Sequence, residues 1–228
     1  MPITGNLMDL WDGLLKEYEE IVYIPMSSGL SSSCETASML SEEYDGKVVV
    51  VDNQRISATM KLSVLEAKKL ADSGKSAREI HDALMSNKLD SRIYITVDTL
   101  EYLKKGGRLT PAVAAIGSLL KIKPVLSIYG EKLDKYAMVR TIKQAKQTMV
   151  DAIMKDMKEV LKTDNFDDVI ISVVYSDNRE SGEKFAKELE EEFGMKVKWI
   201  DPLSLSVACH IGPGALACTV TKKLIPLD

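Results

Sequence analysis

Hydroxyls and a glycine crowd one short stretch of this chain, Ile24-Pro25-Met26-Ser27-Ser28-Gly29-Leu30-Ser31-Ser32-Ser33. The apolar run Ile21 to Ile24 before it reads as a buried strand, and a helix is expected after it, through about Glu43. Backbone N–H groups at a helix start, the positive end of the helix dipole and several serine hydroxyls would converge there. Such a place can cradle a carboxylate or phosphate without a fixed positive charge. The same residues also suit a serine-rich helix cap with no ligand. A P-loop is excluded because no Gly-Lys-Ser/Thr follows. A G-x-S-x-G nucleophile elbow is excluded because Met26 holds the place of its first glycine around Ser28.

Two further clusters carry chemistry. In Lys104-Lys105-Gly106-Gly107-Arg108-Leu109-Thr110-Pro111, two glycines allow a tight turn that presents the planar fork of Arg108, suited to carboxylates and phosphates. Taken alone, these residues read rather as a helix C-cap with solvated cations complementing the dipole. Arg140, isolated at a strand end, and Lys121-Ile122-Lys123-Pro124 belong to the same class. In Ala208-Cys209-His210-Ile211-Gly212-Pro213-Gly214-Ala215, one of the chain's 2 histidines stands beside a loop made close and rigid by Gly212 and Gly214. His210 there can donate a hydrogen bond or change charge near neutral pH, or simply bond to loop carbonyls. His81 reads as helix surface or filler. No H-x-x-H or paired cysteines point to a metal, and Glu190-Glu191-Glu192 reads as a solvated face.

These clusters need elements to hold them. Over 228 residues with 45% hydrophobic and 28% charged side chains, the chain reads as soluble and globular, with length for one large or two small domains. No apolar run approaches the ~18 residues of a membrane-spanning helix. Lys+Arg 30 against Asp+Glu 34 gives a net charge of -4, which disfavours a nucleic-acid partner. The 3 cysteines are far apart and odd in number, which fits a reducing, cytoplasmic setting. Helix Leu7 to Tyr18, strand Ile21 to Ile24, strand Lys47 to Val51, helix Ala58 to Ser73 and helix Ser76 to Met85 alternate as in an α/β layer domain. The last of these carries a Ser76/Glu79 capping box. Beyond a boundary near Leu89 to Ser91, strands come more often: Ser91 to Val97, Pro124 to Tyr129, Lys132 to Arg140, Asp168 to Tyr175, Val197 to Ile200 and Ala215 to Val220. Tyr129-Gly130-Glu131 is a hairpin signal. Helices with Met149/Ile153/Met157/Val160 and Phe185/Leu189/Phe193 spacing separate the others. The expectation is an α/β domain over residues 1–90 and a second α/β domain over 91–228.

Taken in order, "IPMSSGLSSSCETA", "VVVVDNQRIS", "VDTLEYLKKGGRLT", "GSLLKIKPVL", "VRTIKQA" and "ACHIGPGALA" closely resemble the DegV family of bacterial fatty-acid-binding proteins. The resemblance spans essentially the whole chain. It implies a three-layer α/β/α parallel-sheet domain, a second α/β domain with a six-stranded mixed sheet, and one long acyl chain buried between the two. It further implies that Ser27, Ser28 and Gly29 hold the fatty acid carboxylate and that His210 lies close to the same polar mouth. Arg108, Arg140 and Gly212 match family positions at that mouth or at a docking face. The best-characterised members deliver the fatty acid to a separate kinase, which makes the acyl phosphate for phospholipid synthesis. By resemblance this chain is a carrier rather than an enzyme, with a fatty acid as ligand, a fatty acid kinase as partner, and no cofactor, metal or membrane insertion.

Two departures accompany the match. Family members begin with a strand ending in Asp-Ser-Thr and a Thr-Ser-x-Pro segment that supplies a carboxylate hydroxyl. Met1-Pro2 match the last two positions of that segment, so the resemblance implies a first domain without its opening strands, with an exposed sheet edge and an opened pocket. The family also has Asp-Ser after the valine strand, where this chain has Asp52-Asn53. Two other functions remain open on the residues alone. One is a serine-dependent acyl hydrolase or transferase using Ser28 or Ser31 with His210 as base. The other is a sensor that binds an acyl ligand and signals through a partner.

Overall fold

The computed structural model describes residues 3–116 and 122–226, in two compact units. Unit 1 comprises Met1–Leu89 with Leu224–Asp228, and unit 2 comprises Asp90–Lys223. Met1-Pro2, and Gly117 to Lys121 of the "GSLLKIKPVL" run, lie outside the described residues.

Unit 1 runs α1 (Thr4–Leu14), β1 (Ile21–Tyr23), α2 (Ser33–Ser41), β2 (Val48–Val50), α3 (Ser57–Asp72) and α4 (Ala77–Ser86). β1 and β2 pair in parallel, Val22 opposite Val49. Alternation along β1 builds three layers. Ile21 and Tyr23 pack with Leu7 and Trp11 of α1 and Ala37 of α2. Val22 and Ile24 pack with Ala67 of α3 and Ile80 and Leu84 of α4. α4 starts at the expected capping box: Ser76 Oγ accepts the Glu79 N–H at 3.3 Å and Glu79 Oε2 accepts the Ser76 N–H at 3.0 Å. α1 is shorter than its apolar spacing predicts. Leu10 and Tyr18 are exposed, so they extend no core face, and the chain turns at Leu15. The C-terminal residues group with unit 1, where the sequence expectation carried the second domain to residue 228. Glu66 Oε1 accepts the Leu224 N–H at 2.7 Å, and Lys69 Nζ donates to the Pro226 carbonyl at 2.7 Å.

Unit 2 contains β3 (Ser91–Thr96), α5 (Glu101–Gly106), α6 (Pro111–Ala114), β4 (Lys123–Ile128), β5 (Leu133–Val139), α7 (Ile142–Glu159), β6 (Val169–Tyr175), α8 (Arg179–Phe193), β7 (Trp199–Pro202), α9 (Leu205–Ile211) and β8 (Leu216–Lys222). The strands form one six-stranded mixed sheet, ordered β5-β4-β3-β8-β6-β7. Among the described strand pairs of this sheet, β6 and β7 are parallel and the rest antiparallel. Gly130, at φ +81°, turns β4 into β5 as the hairpin signal predicts. One sheet face, through Tyr94, Val125, Ile171, Val173, Leu216 and Cys218, packs on the apolar stripes of α7 (Met149, Ile153, Met157) and α8 (Phe185, Leu189, Phe193). Two short helices, α6 and α9, go beyond the sequence reading. No helix among the described residues is long and apolar enough to cross a membrane.

Candidate functional site

β1 delivers the chain into the serine loop of unit 1. Ser27 is fully buried, whereas Ser28 is exposed. The expectation of free backbone donors is not met. Ser27 N–H donates to the Arg55 carbonyl at 2.9 Å, and Leu30 and Ser31 N–H groups donate to the Ser27 carbonyl at 3.0 and 3.1 Å. Gly29 N–H donates to Ser27 Oγ at 3.2 Å, and Ser28 N–H to Asp52 Oδ1 at 3.2 Å. The physical reason is local: serine side chains and carbonyls in a tight turn satisfy their neighbours' amides. Ser31 Oγ likewise accepts the Ser33 N–H at 3.2 Å at the start of α2 and lies 2.9 Å from Ser33 Oγ. Of the Ser27, Ser28, Ser31 and Ser33 hydroxyls, the Ser28 hydroxyl alone is exposed and outside these hydrogen bonds. Among the described residues the Ser28 hydroxyl has no hydrogen-bond partner. Asp52 places a carboxylate beside the Ser28 amide.

Behind this loop lies residue Arg55, only 1% exposed. Its Nη1 donates to Ser63 Oγ at 3.1 Å and its Nη2 to the Asn87 carbonyl at 2.9 Å. Glu66 Oε2 is 3.9 Å from Nη1. Asn53 Nδ2 donates to the same Ser63 hydroxyl at 2.8 Å, so Asn53 is a buried part of this network. Asp52 and Arg55 were not singled out from sequence as supports of the loop. Their signal was the "VVVVDNQRIS" run, which ends one strand later at the same sheet edge as the serine loop.

Burial pushes the Glu66 carboxyl above its ordinary value of 4.5, against the lowering effects of the Leu224 N–H and Arg55. A raised carboxyl holds its proton more tightly in the folded chain than in the unfolded one. Its stabilising contribution is present below pH 4.5 and is lost as pH rises through the raised folded value. Relative to Glu66→Gln, wild-type stability should therefore fall across that window in urea titrations at stepped pH. Parallel stability curves would contradict this.

Unit 2 gathers Arg108, His210 and Gly212 around α5 and α9. His210 lies in the last turn of α9, directly before the turn at Gly212 to Gly214. A Cβ on Gly106 would stand 2.5 Å from His210 Nδ1, so the glycine permits the imidazole's close approach. Arg108 Nη1 donates to the Gly106 carbonyl. Gly212 ends α9 at φ +84°, and its carbonyl accepts the Ser176 hydroxyl at 2.6 Å. Arg140 is not part of this group. It is exposed after β5, with its backbone N–H on Gln144 Oε1 at 3.0 Å.

Comparison with known proteins agrees with this architecture. The family model described as "Uncharacterised protein, DegV family" matches residues 1–223. A DegV domain-containing protein of Staphylococcus aureus is 32% identical over 230 residues, covering 99% of this chain and 77% of its own. One from Clostridium acetobutylicum is 30% identical over 224 residues, covering 94% and 75%. Among solved structures, DegV of Bacillus subtilis, described as a fatty acid binding protein, superposes with a TM-score of 0.83 at 27% identity, over 98% of this chain and 78% of its own. A fatty acid binding DegV family protein from Streptococcus agalactiae gives 0.84 at 26% identity, over 98% and 77%. On the family match, the relatives and the fold together, the chain belongs to the DegV family.

Proposed function

We propose that this chain is a carrier that holds one long-chain fatty acid, with the carboxylate received by the hydroxyls of Ser27 and Ser28 and with Gly29 allowing close approach. It presents that fatty acid to a fatty acid kinase in the cytoplasm, which makes the acyl phosphate used in phospholipid synthesis. The observation that carries the reading is the Ser28 hydroxyl: exposed, without a partner among the described residues, on a turn whose Ser27 to Ser31 amides are engaged. The fatty-acid-binding relatives supply the ligand class. Each buried CH2 contributes about 0.8 kcal/mol, so acyl burial supplies most of the affinity and the hydroxyls orient the head group. Uncharged donors also avoid the desolvation cost of a buried ion pair. His210 is assigned to head-group recognition, and Arg108, Arg140 and Gly212 to the polar mouth or to kinase docking, on the resemblance. Ser28→Ala removes no fold contact and should weaken stearic acid binding about tenfold by calorimetry, the size of one hydrogen bond to a charged acceptor. An unchanged dissociation constant would remove the hydroxyl cradle.

A further inference from the structure

The loop that supports Ser27 and Ser28 is itself in an unfavourable conformation. Gln54 at φ +55° and Ser57 at φ +56° both lie in the left-handed region without being glycine. Such conformations persist only where the surroundings over-determine them. Between the two stands Arg55, whose guanidinium reaches three separate anchors: Ser63 and Glu66 on α3, and the carbonyl of Asn87 just past α4. The backbone of the same residue accepts the Ser27 N–H, and Asp52 at the head of the loop accepts the Ser28 N–H. One buried cation thus ties two helices to the turn that carries both hydroxyls.

We infer that Arg55 is a positioning residue for the Ser27 and Ser28 hydroxyls, fixing the 52–57 loop against α3 and α4 so that its Arg55 carbonyl and Asp52 carboxylate hold the serine turn in its binding geometry. Net stability is a weak reason to bury an arginine, because the desolvation of a buried ion pair consumes most of its attraction. Geometry is a better one. A planar fork satisfies partners in several directions at once, which a lysine point charge cannot do. Ser63 Oγ is shared between Arg55 and Asn53, so the hydroxyl closes the network from the helix side.

This inference rests on the reading of the serine turn as the carboxylate cradle, and the test separates the two. Arg55→Lys, Arg55→Met and Ser63→Ala would be made in the full chain, the last as the variant least disturbing to folding. Three quantities are read: thermal stability, amide hydrogen exchange at Ser27 without ligand, and stearic acid affinity. The expected result is folded protein, Ser27 exchange faster by about tenfold and stearic acid affinity lower by about tenfold, with Arg55→Lys failing to rescue. Ser28→Ala should lower affinity yet leave Ser27 exchange unchanged. Unchanged Ser27 exchange in the folded Ser63→Ala and Arg55 variants would overturn the inference. Faster Ser27 exchange in a chain whose wild type takes up no stearic acid would uphold the positioning role and remove the cradle reading instead.

Discussion

Gly212→Ala should destabilise unit 2 by about 3 kcal/mol, from two independent costs. The first is backbone: at φ +84° and ψ 179°, Gly212 occupies a region essentially closed to residues with a Cβ. The second is steric, because a Cβ there would stand 2.4 Å from Tyr102 Cδ2 and 2.8 Å from Cε2. Relief by small shifts is limited. The Gly212 N–H donates to the Ala208 carbonyl at 2.8 Å, its carbonyl holds Ser176 Oγ, and that oxygen accepts the Ala215 N–H at 3.0 Å. Tyr102 is 42% exposed and can swing outward, so Tyr102→Ala should recover the steric share in the double variant and leave the backbone share. Hydrogen exchange read by mass spectrometry over α9 and β8 would report the loss. A melting shift within about 2 °C of wild type would show that the turn is not held as described.

The corresponding weak point of unit 1 is Trp11, 1% exposed in a core that flanks β1 and β2. Its ring meets Tyr23 edge-on at a centroid distance of 5.4 Å and Tyr44 at 5.4 Å. Trp11→Ala should cost about 3–5 kcal/mol, enough to remove much of the stability of a typical domain. Because Tyr23 ends the strand that delivers the serine loop, stearic acid binding should fall with it. Trp11→Phe separates packing from polarity. The indole Nε1 is buried without a partner among the described residues, so the smaller ring gives up area but no hydrogen bond, and the loss should stay below about 1.5 kcal/mol. Exchange of the β1 and β2 amides decides the matter. Equal protection in Trp11→Ala and wild type would mean that α1 does not hold the sheet.

Both sites show where sequence is informative. The six strands of unit 2 were legible because short apolar or alternating runs, the Val/Ile run of β6 the clearest, and the Gly130 turn between two of them, are local signals. The α4 cap was legible for the same reason, with donor and acceptor three residues apart. α9 was not: Leu205 is 81% exposed and Ile211 is the helix's one buried residue among those described, so no apolar stripe marks it. Its position comes from glycines on two elements, Gly106 under His210 and Gly212 under Tyr102, which are over a hundred residues apart in the chain. The serine loop was half legible. Its hydroxyls could be read directly, but two of the partners that consume its amides, Asp52 and Arg55, come from a loop 24 or more residues away. Nothing local in the sequence marks Arg55 as buried. Only the packing of α3 and α4 reveals it as buried.

The most direct test of the account is denaturing mass spectrometry of lipid extracted from the full chain after incubation with stearic acid, alongside its intact mass under native conditions. The account predicts one fatty acid per chain in wild type and reduced occupancy in Ser28→Ala. A folded wild-type chain that remains empty, or Ser28→Ala occupied to the same extent as wild type, would contradict it.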